Sequence, residues 1–93
     1  MLELVHIEYW SGKKQKSIVV FVINTTIDGR LIGLKSNKLA GSDIGRIITN
    51  KDKLVGMEPK ILQSWLNRNL QHYSNALCEF KRGRYSIKES YNI

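Results

Sequence analysis

Residues 59–82 read PKILQSWLNRNLQHYSNALCEFKR, and the fold turns on how this stretch is read. Apolar side chains fall at Ile61, Leu62, Trp65, Leu66, Leu70, Tyr73, Leu77 and Phe80, with Ala76 among them. The steps are three or four residues or sums of those, the spacing of one helix face. Pro59 suits a first turn, where its missing N–H costs nothing, and Glu58 beside it favours the positive end of the helix dipole. Gly83 fits the position just past a helix C-terminus, with Lys81 and Arg82 in the last turn. The pattern therefore predicts one amphipathic helix over 58–83. At about 1.5 Å per residue it would be roughly 36 Å long, enough for one end to overhang so small a core.

The opposite arc of that helix would hold Lys60, Gln63, Ser64, Asn67, Arg68, Gln71, Ser74, Asn75, Cys78, Lys81 and Arg82, with Glu79 only at its boundary. A solvated face usually mixes Glu with Lys at i,i+4, and Asn and Ser are mediocre helix formers. Two readings stay open: a plain polar surface, or a contact surface of amides and cations for an anionic or polar macromolecule. Asn69 would project into the apolar arc. An unpaired amide there costs roughly a few kcal/mol, so two readings stay open: a hydrogen bond to a strand-end or loop carbonyl, or an arc that opens there toward a pocket or a partner.

Ahead of this stretch the sequence reads as strands. Leu2 to Trp10 is a first strand with poorly separated faces. Ser11 to Ser17 is a turn carrying Gly12, Lys13, Lys14 and Lys16, either a solvated hairpin tip or a finger that follows phosphates. Ile18 to Ile27 is rich in β-branched residues and apolar on both faces at first, as a central strand is. Asp28-Gly29 then predicts a type I′ hairpin into Arg30–Lys35. Gly33 marks a bulge or a close approach to the backbone. Ser42 is placed to cap a short helix over Asp43–Thr49, with Ile44, Ile47 and Ile48 inward. Lys35, Lys38, Arg46, Lys51 and Lys53 accumulate in this connector. After the long helix, Arg84–Ile93 alternates again and predicts a fourth strand at a sheet edge, with Lys88 discouraging further pairing.

The 93 residues suit one domain with a modest core, and 42% hydrophobic content argues for folding. Fifteen basic against eight acidic residues give a net charge of +7, which favours nucleic acid, anionic lipid or an acidic protein as partner. Cys78 is the one cysteine, so no internal disulfide forms and a reducing, intracellular (cytoplasmic) setting is expected. The N-terminus, with Glu3 and no basic run, does not read as a signal peptide. The longest apolar run, Ile18 to Ile23, is too short to span a bilayer, so no membrane is expected.

Chemistry is sparse. His6, His72 and Cys78 have no metal-ligand spacing, and Gly41–Gly45 is not followed by the Gly-Lys-Ser/Thr of a phosphate loop. No catalytic residue, metal or cofactor is predicted, and the protein is read as a non-enzyme. Tyr9, Trp10, Tyr85 and Tyr91, near lysines or Arg84, are available to stack on bases. Three strands then a helix is similar, in order of elements alone, to the DNA-binding modules of integrases; no motif is shared, so no family is assigned. The size, basicity and Asn/Lys/Ile-rich composition suit proteins of phages and other mobile elements.

The expectation is an α+β domain. A β-meander (1–36) and a connector with a short helix (37–57) precede the long helix (58–83), which packs on one face of a three- to four-stranded antiparallel sheet completed by 84–93. The leading function is binding of nucleic acid, DNA or RNA. The expected contacts are Lys13, Lys14, Lys16, Lys60, Asn67, Arg68, Gln71, Asn75, Lys81, Arg82 and Arg84. The alternative is an inhibitor or adaptor that docks on an acidic or nucleic-acid-binding protein. A homodimer through an edge strand or the helix overhang fits either.

Overall fold

In the computed structural model, which describes residues 2–70 and 76–93, the chain builds one five-stranded antiparallel sheet in the order β4-β3-β2-β1-β5. The strands are β1 (Glu3–Ser11), β2 (Lys14–Thr25), β3 (Leu31–Lys35), β4 (Leu77–Phe80) and β5 (Tyr85–Asn92). Between β3 and β4 run a single 3₁₀ turn (Ser36–Lys38) and the helices α1 (Gly41–Thr49), α2 (Lys51–Leu54) and α3 (Pro59–Asn69).

The long helix over 58–83 does not form. Its first half is correct: Pro59 opens α3, and Leu62, Trp65 and Leu66 are buried. The helix then stops at Asn69, and Leu70 is extended (φ −100°, ψ 137°). Two causes are local. Asn69 Nδ2 donates to the Trp65 carbonyl at 2.8 Å, a bond within its own helix, not to a strand or loop carbonyl, and a local alternative to continued helix. Beyond it, the run Gln71 to Asn75 is poor in strong helix formers. The third cause is tertiary. Leu77–Phe80 supplies β4, paired with β3 from Leu34↔Leu77 to Leu31↔Phe80, which covers an otherwise bare edge. Gly83, at φ +84°, turns the chain from β4 toward β5 instead of ending a helix. Ile61, placed on the apolar arc, is 53% exposed.

The rest of the meander holds with shifted ends. β2 begins at Lys14, not Ile18, because β1 and β2 pair out to Ser11↔Lys14 around a two-residue turn. The Asp28-Gly29 hairpin is real but is not a two-residue type I′ turn. The Thr26 N–H donates to the Arg30 carbonyl at 2.9 Å, so the loop is Ile27–Gly29, and the Gly29 N–H closes it on the Thr26 carbonyl at 2.9 Å. Gly29 at φ +85° takes the left-handed position that a three-residue hairpin loop requires. α1 starts at Gly41 with Ala40 at its N-cap and no side-chain cap, so Ser42 is inside the helix. Of its three isoleucines, Ile47 is buried, Ile44 packs at the core margin and Ile48 is exposed. The predicted C-terminal strand is β5, the fifth strand. It pairs with β1 and forms one sheet edge.

Two cores result, one on each face of the sheet. On the outer face, Leu2, Phe21, Ile23, Ile32 and Leu34 pack against Ile47, Leu54, Leu62, Trp65 and Leu66 of the helices. The opposite face carries Val5, Ile7, Val20, Val22, Leu31 and Phe80, all buried. The sheet buries these by rolling on itself. The Phe80 ring lies 5.0 Å from Tyr9 and 6.0 Å from Tyr85, centroid to centroid. In a flat sheet, with strands about 4.8 Å apart, those residues would be separated by about 14 and 19 Å. The corner where β4 ends therefore meets the corner where β5 begins.

Gly33 permits that curvature. A Cβ there would sit 2.5 Å from the Phe21 carbonyl oxygen and 2.5 Å from Val20 Cγ1. The β2–β3 register also shifts between Val22 and Asn24, beside the glycine. Both readings of Gly33, bulge and close approach, apply together.

Candidate functional site

The closed corner leaves a groove of about 390 Å³ at the mouth of the roll. Its apolar wall comes from Tyr9, Trp10 and Phe80, and its cations from Lys35, Lys81 and Arg84; Cys78 and Glu79 complete the lining. β1 supplies both rings: Tyr9 points to the rolled interior, while Trp10, next along the strand, points to the other face and reaches the groove at its edge, where its backbone N–H is 3.5 Å from the Arg84 carbonyl. β4 delivers Phe80, whose edge-to-face contacts with Tyr9 and Tyr85 fix the floor. Trp10 is 57% exposed and stands at the rim, also lining a smaller hollow of about 160 Å³ with Glu8, Gln15 and Tyr85.

The electrostatics favour an anion. Glu79 is the groove's carboxylate, and its Oε2 is 2.9 Å from Nη1 of Arg30. Arg30 also holds Asp28 at 3.0 Å. Hydrogen bonds from the Thr26 hydroxyl and the Arg30 guanidinium keep the Asp28 carboxyl below its usual range. The charge of Glu79 is therefore directed to Arg30, not to the cations of the groove. Burial pushes the Cys78 thiol up to about 11, against a pull downward from the Lys35 ammonium. Cys78 Sγ lies 3.3 Å from the Gly33 carbonyl oxygen, so the thiol is a protonated, hydrogen-bonded wall residue at neutral pH.

The sequence-derived contacts divide into groups. Lys81 and Arg84 line the groove. Lys16 pairs directly with Tyr9, which puts both on one sheet face, and Lys14, two residues along β2, shares it. Lys13 occupies the exposed turn between β1 and β2. Arg82 folds elsewhere: its side chain lies over Gly29 of the β2–β3 loop. Lys60, Asn67 and Arg68 are exposed on α3, in the layer covering the outer face, so they do not join the groove. Gln71 and Asn75 lie outside the described residues, as do His72 and Tyr73. The single basic helix face predicted from 58–83 is thus replaced by two unlike surfaces on opposite sides of the sheet.

No family model, curated protein or solved structure matches the chain.

Lys35 was not among the predicted contacts, whereas Tyr9 and Trp10, read from the sequence as available for stacking, line the groove. The signal for the aromatics was an adjacent Tyr-Trp ahead of a lysine-rich turn. For Lys35 no local signal exists, since it is the long-range pairing of β3 with β4 that sets it near Cys78. His6 bonds the Ser17 hydroxyl through Nε2. Among the described residues no three His, Cys, Asp or Glu side chains gather as metal ligands, and no helix is long and apolar enough to cross a membrane.

Proposed function

We propose that this small basic α+β domain is a non-enzymatic nucleic-acid-binding protein that contacts phosphates from the mouth of the rolled sheet. The observation that carries the reading is the convergence of Lys35, Lys81 and Arg84 on one aromatic-walled groove whose carboxylate is engaged by Arg30. Lys14 and Lys16 extend the same sheet face along the β1–β2 hairpin, and the net charge of +7 adds long-range attraction. α3 is not part of this surface.

The test is a fluorescence-anisotropy titration of labelled DNA and RNA oligonucleotides at several salt concentrations. Lys81→Glu/Arg84→Glu should weaken binding to all sequences and lower the salt slope by roughly one unit per lost contact. Lys60→Glu/Arg68→Glu, on the outer helix layer, should have a much smaller effect. Affinity weaker than about 100 μM for every nucleic acid at low salt would overturn the proposal, since non-specific binders are usually tighter.

One observation favours a protein partner as a second reading. β5 is an eight-residue edge strand with Ile87 52% and Tyr91 58% exposed. Such an edge offers unpaired backbone groups to a strand of an acidic partner or of a second copy. Loss of binding on charge reversal of the Lys88 edge, with the groove variants inert, would favour it.

A further inference from the structure

We infer that the groove takes an unpaired base, so that the preferred ligand is single-stranded nucleic acid; this rests on the nucleic-acid reading above. The site is concave, and its aromatic residues line the concavity. A duplex is read by elements that project into its grooves, and its bases are stacked inside the helix. A recess lined by aromatic rings suits the reverse arrangement, in which the ligand's flat ring enters the protein. Trp10 offers an exposed indole at the rim. Tyr9 and Phe80, locked edge-to-face at 5.0 Å, give an apolar floor that needs no rearrangement to receive a ring. A volume of about 390 Å³ is on the scale of small-ligand sites.

The charges are arranged for the same ligand. Lys81 and Arg84 line the recess together with Trp10, and Lys16, paired with Tyr9 in the β1–β2 ladder, adds a cation on the same sheet face. A strand crossing the mouth would set its phosphates on these cations while a base turns inward onto Trp10. Aromatic platforms with a basic track bind single strands with little sequence preference, because every base has a π-face. Backbone contacts at the hairpin add affinity without adding sequence information.

The experiment follows tryptophan emission and anisotropy as the protein is titrated with dT12, U12, a 12-base-pair hairpin duplex and polyphosphate. The expected result is preference for dT12 or U12 over the duplex, with quenching by the oligonucleotides and none by polyphosphate. Trp10→Ala should abolish the quenching and weaken single-strand binding about tenfold, within the range for loss of one stacked base. Its salt slope should be unchanged, because no phosphate contact is removed. Trp10→Phe should restore most of the affinity, and unaltered melting of both variants would show that the fold is intact. Equal binding of single strand, duplex and polyphosphate, with Trp10→Ala inert, would overturn the inference and leave the phosphate-binding reading standing. Absence of binding to any of the four would overturn both.

Discussion

Gly33→Ala is the smallest substitution that tests whether the sheet rolls as described. The added methyl would point into the rolled interior, 2.5 Å from the Phe21 carbonyl oxygen and 2.5 Å from Val20 Cγ1. The carbonyl belongs to the backbone of the neighbouring strand, and Val20 is fully buried, so neither can swing clear at low cost. Relief requires β3 to lift from β2, loosening the closure that buries Leu31 and Phe80. Inserting a methyl into a packed interior costs about 1–3 kcal/mol, and contact with backbone argues for the upper part of that range. Reduced freedom of the unfolded chain returns about 0.4–1 kcal/mol, leaving a net loss of about 2 kcal/mol. For a domain of this size that lowers Tm by roughly 8–16 °C. Gly45→Ala is the matched control. Gly45 is exposed within α1, and nothing lies within 4 Å of its added Cβ. The same substitution should there stabilise by up to about 1 kcal/mol through helix propensity. Thermal and urea melts followed by circular dichroism measure both. A Gly33→Ala protein melting at or above the parent would refute the close β2–β3 approach and the roll built on it.

Three further outcomes follow from the packing. Trp65→Ala should cost about 3–5 kcal/mol, read as a shift in urea midpoint, because the indole fills the contact between α3 and the outer sheet face; unchanged melting would remove Trp65 from the core. Gly29→Val should destabilise the domain, since a β-branched residue is strained at φ +85° and its Cβ would meet Arg82 Cδ at 3.0 Å; parent-like melting would contradict the three-residue loop. The folded Cys78 thiol keeps its proton up to about pH 11, while the unfolded one loses it near the usual 9.0. Relative to Cys78→Ala, the parent should therefore lose stability as pH rises from about 9 toward 11, and parallel profiles would refute the burial of the thiol.

The N-terminal meander was legible because its signals are local. β-Branched runs, an Asp-Gly pair and a lysine-rich turn each bias a few consecutive residues. The long helix was misread because periodicity alone does not separate a short helix followed by a strand from a continuous helix. Leu77 and Phe80 keep helical spacing from Trp65, Leu66 and Leu70, yet Leu77 faces the helices while Phe80 faces the rolled interior. The competing information lay in Asn69, whose amide binds its own helix four residues back, and in the weak helix formers after it. The tertiary demand of β3 for a partner on its open edge is invisible to any window of sequence. The same limit hid the groove. Tyr9, Lys35 and Phe80 are far apart in sequence, and only strand pairing together with a roll that closes corner to corner brings them to one groove.

That closure links stability to the candidate site through one ring. Phe80 is the last residue of β4, a buried member of the inner core and the floor of the groove. Its contacts with Tyr9 and Tyr85 tie the two edge strands together without hydrogen-bonding them into one barrel. The interior behind the rings is packed with Val5, Ile7 and Val20, so the floor inherits the rigidity of the core. The rim is different in kind. Trp10, Lys13, Lys81 and Arg84 are exposed, and they extend from a hairpin and a turn. A packed apolar floor with an exposed basic rim separates the two demands of a polyanion: a fixed seat for a flat ring, and solvent-facing charges for a backbone. The helical layer stabilises the sheet from the outer face and the rolled interior is filled by its own side chains, so a ligand meets the inner side at its mouth.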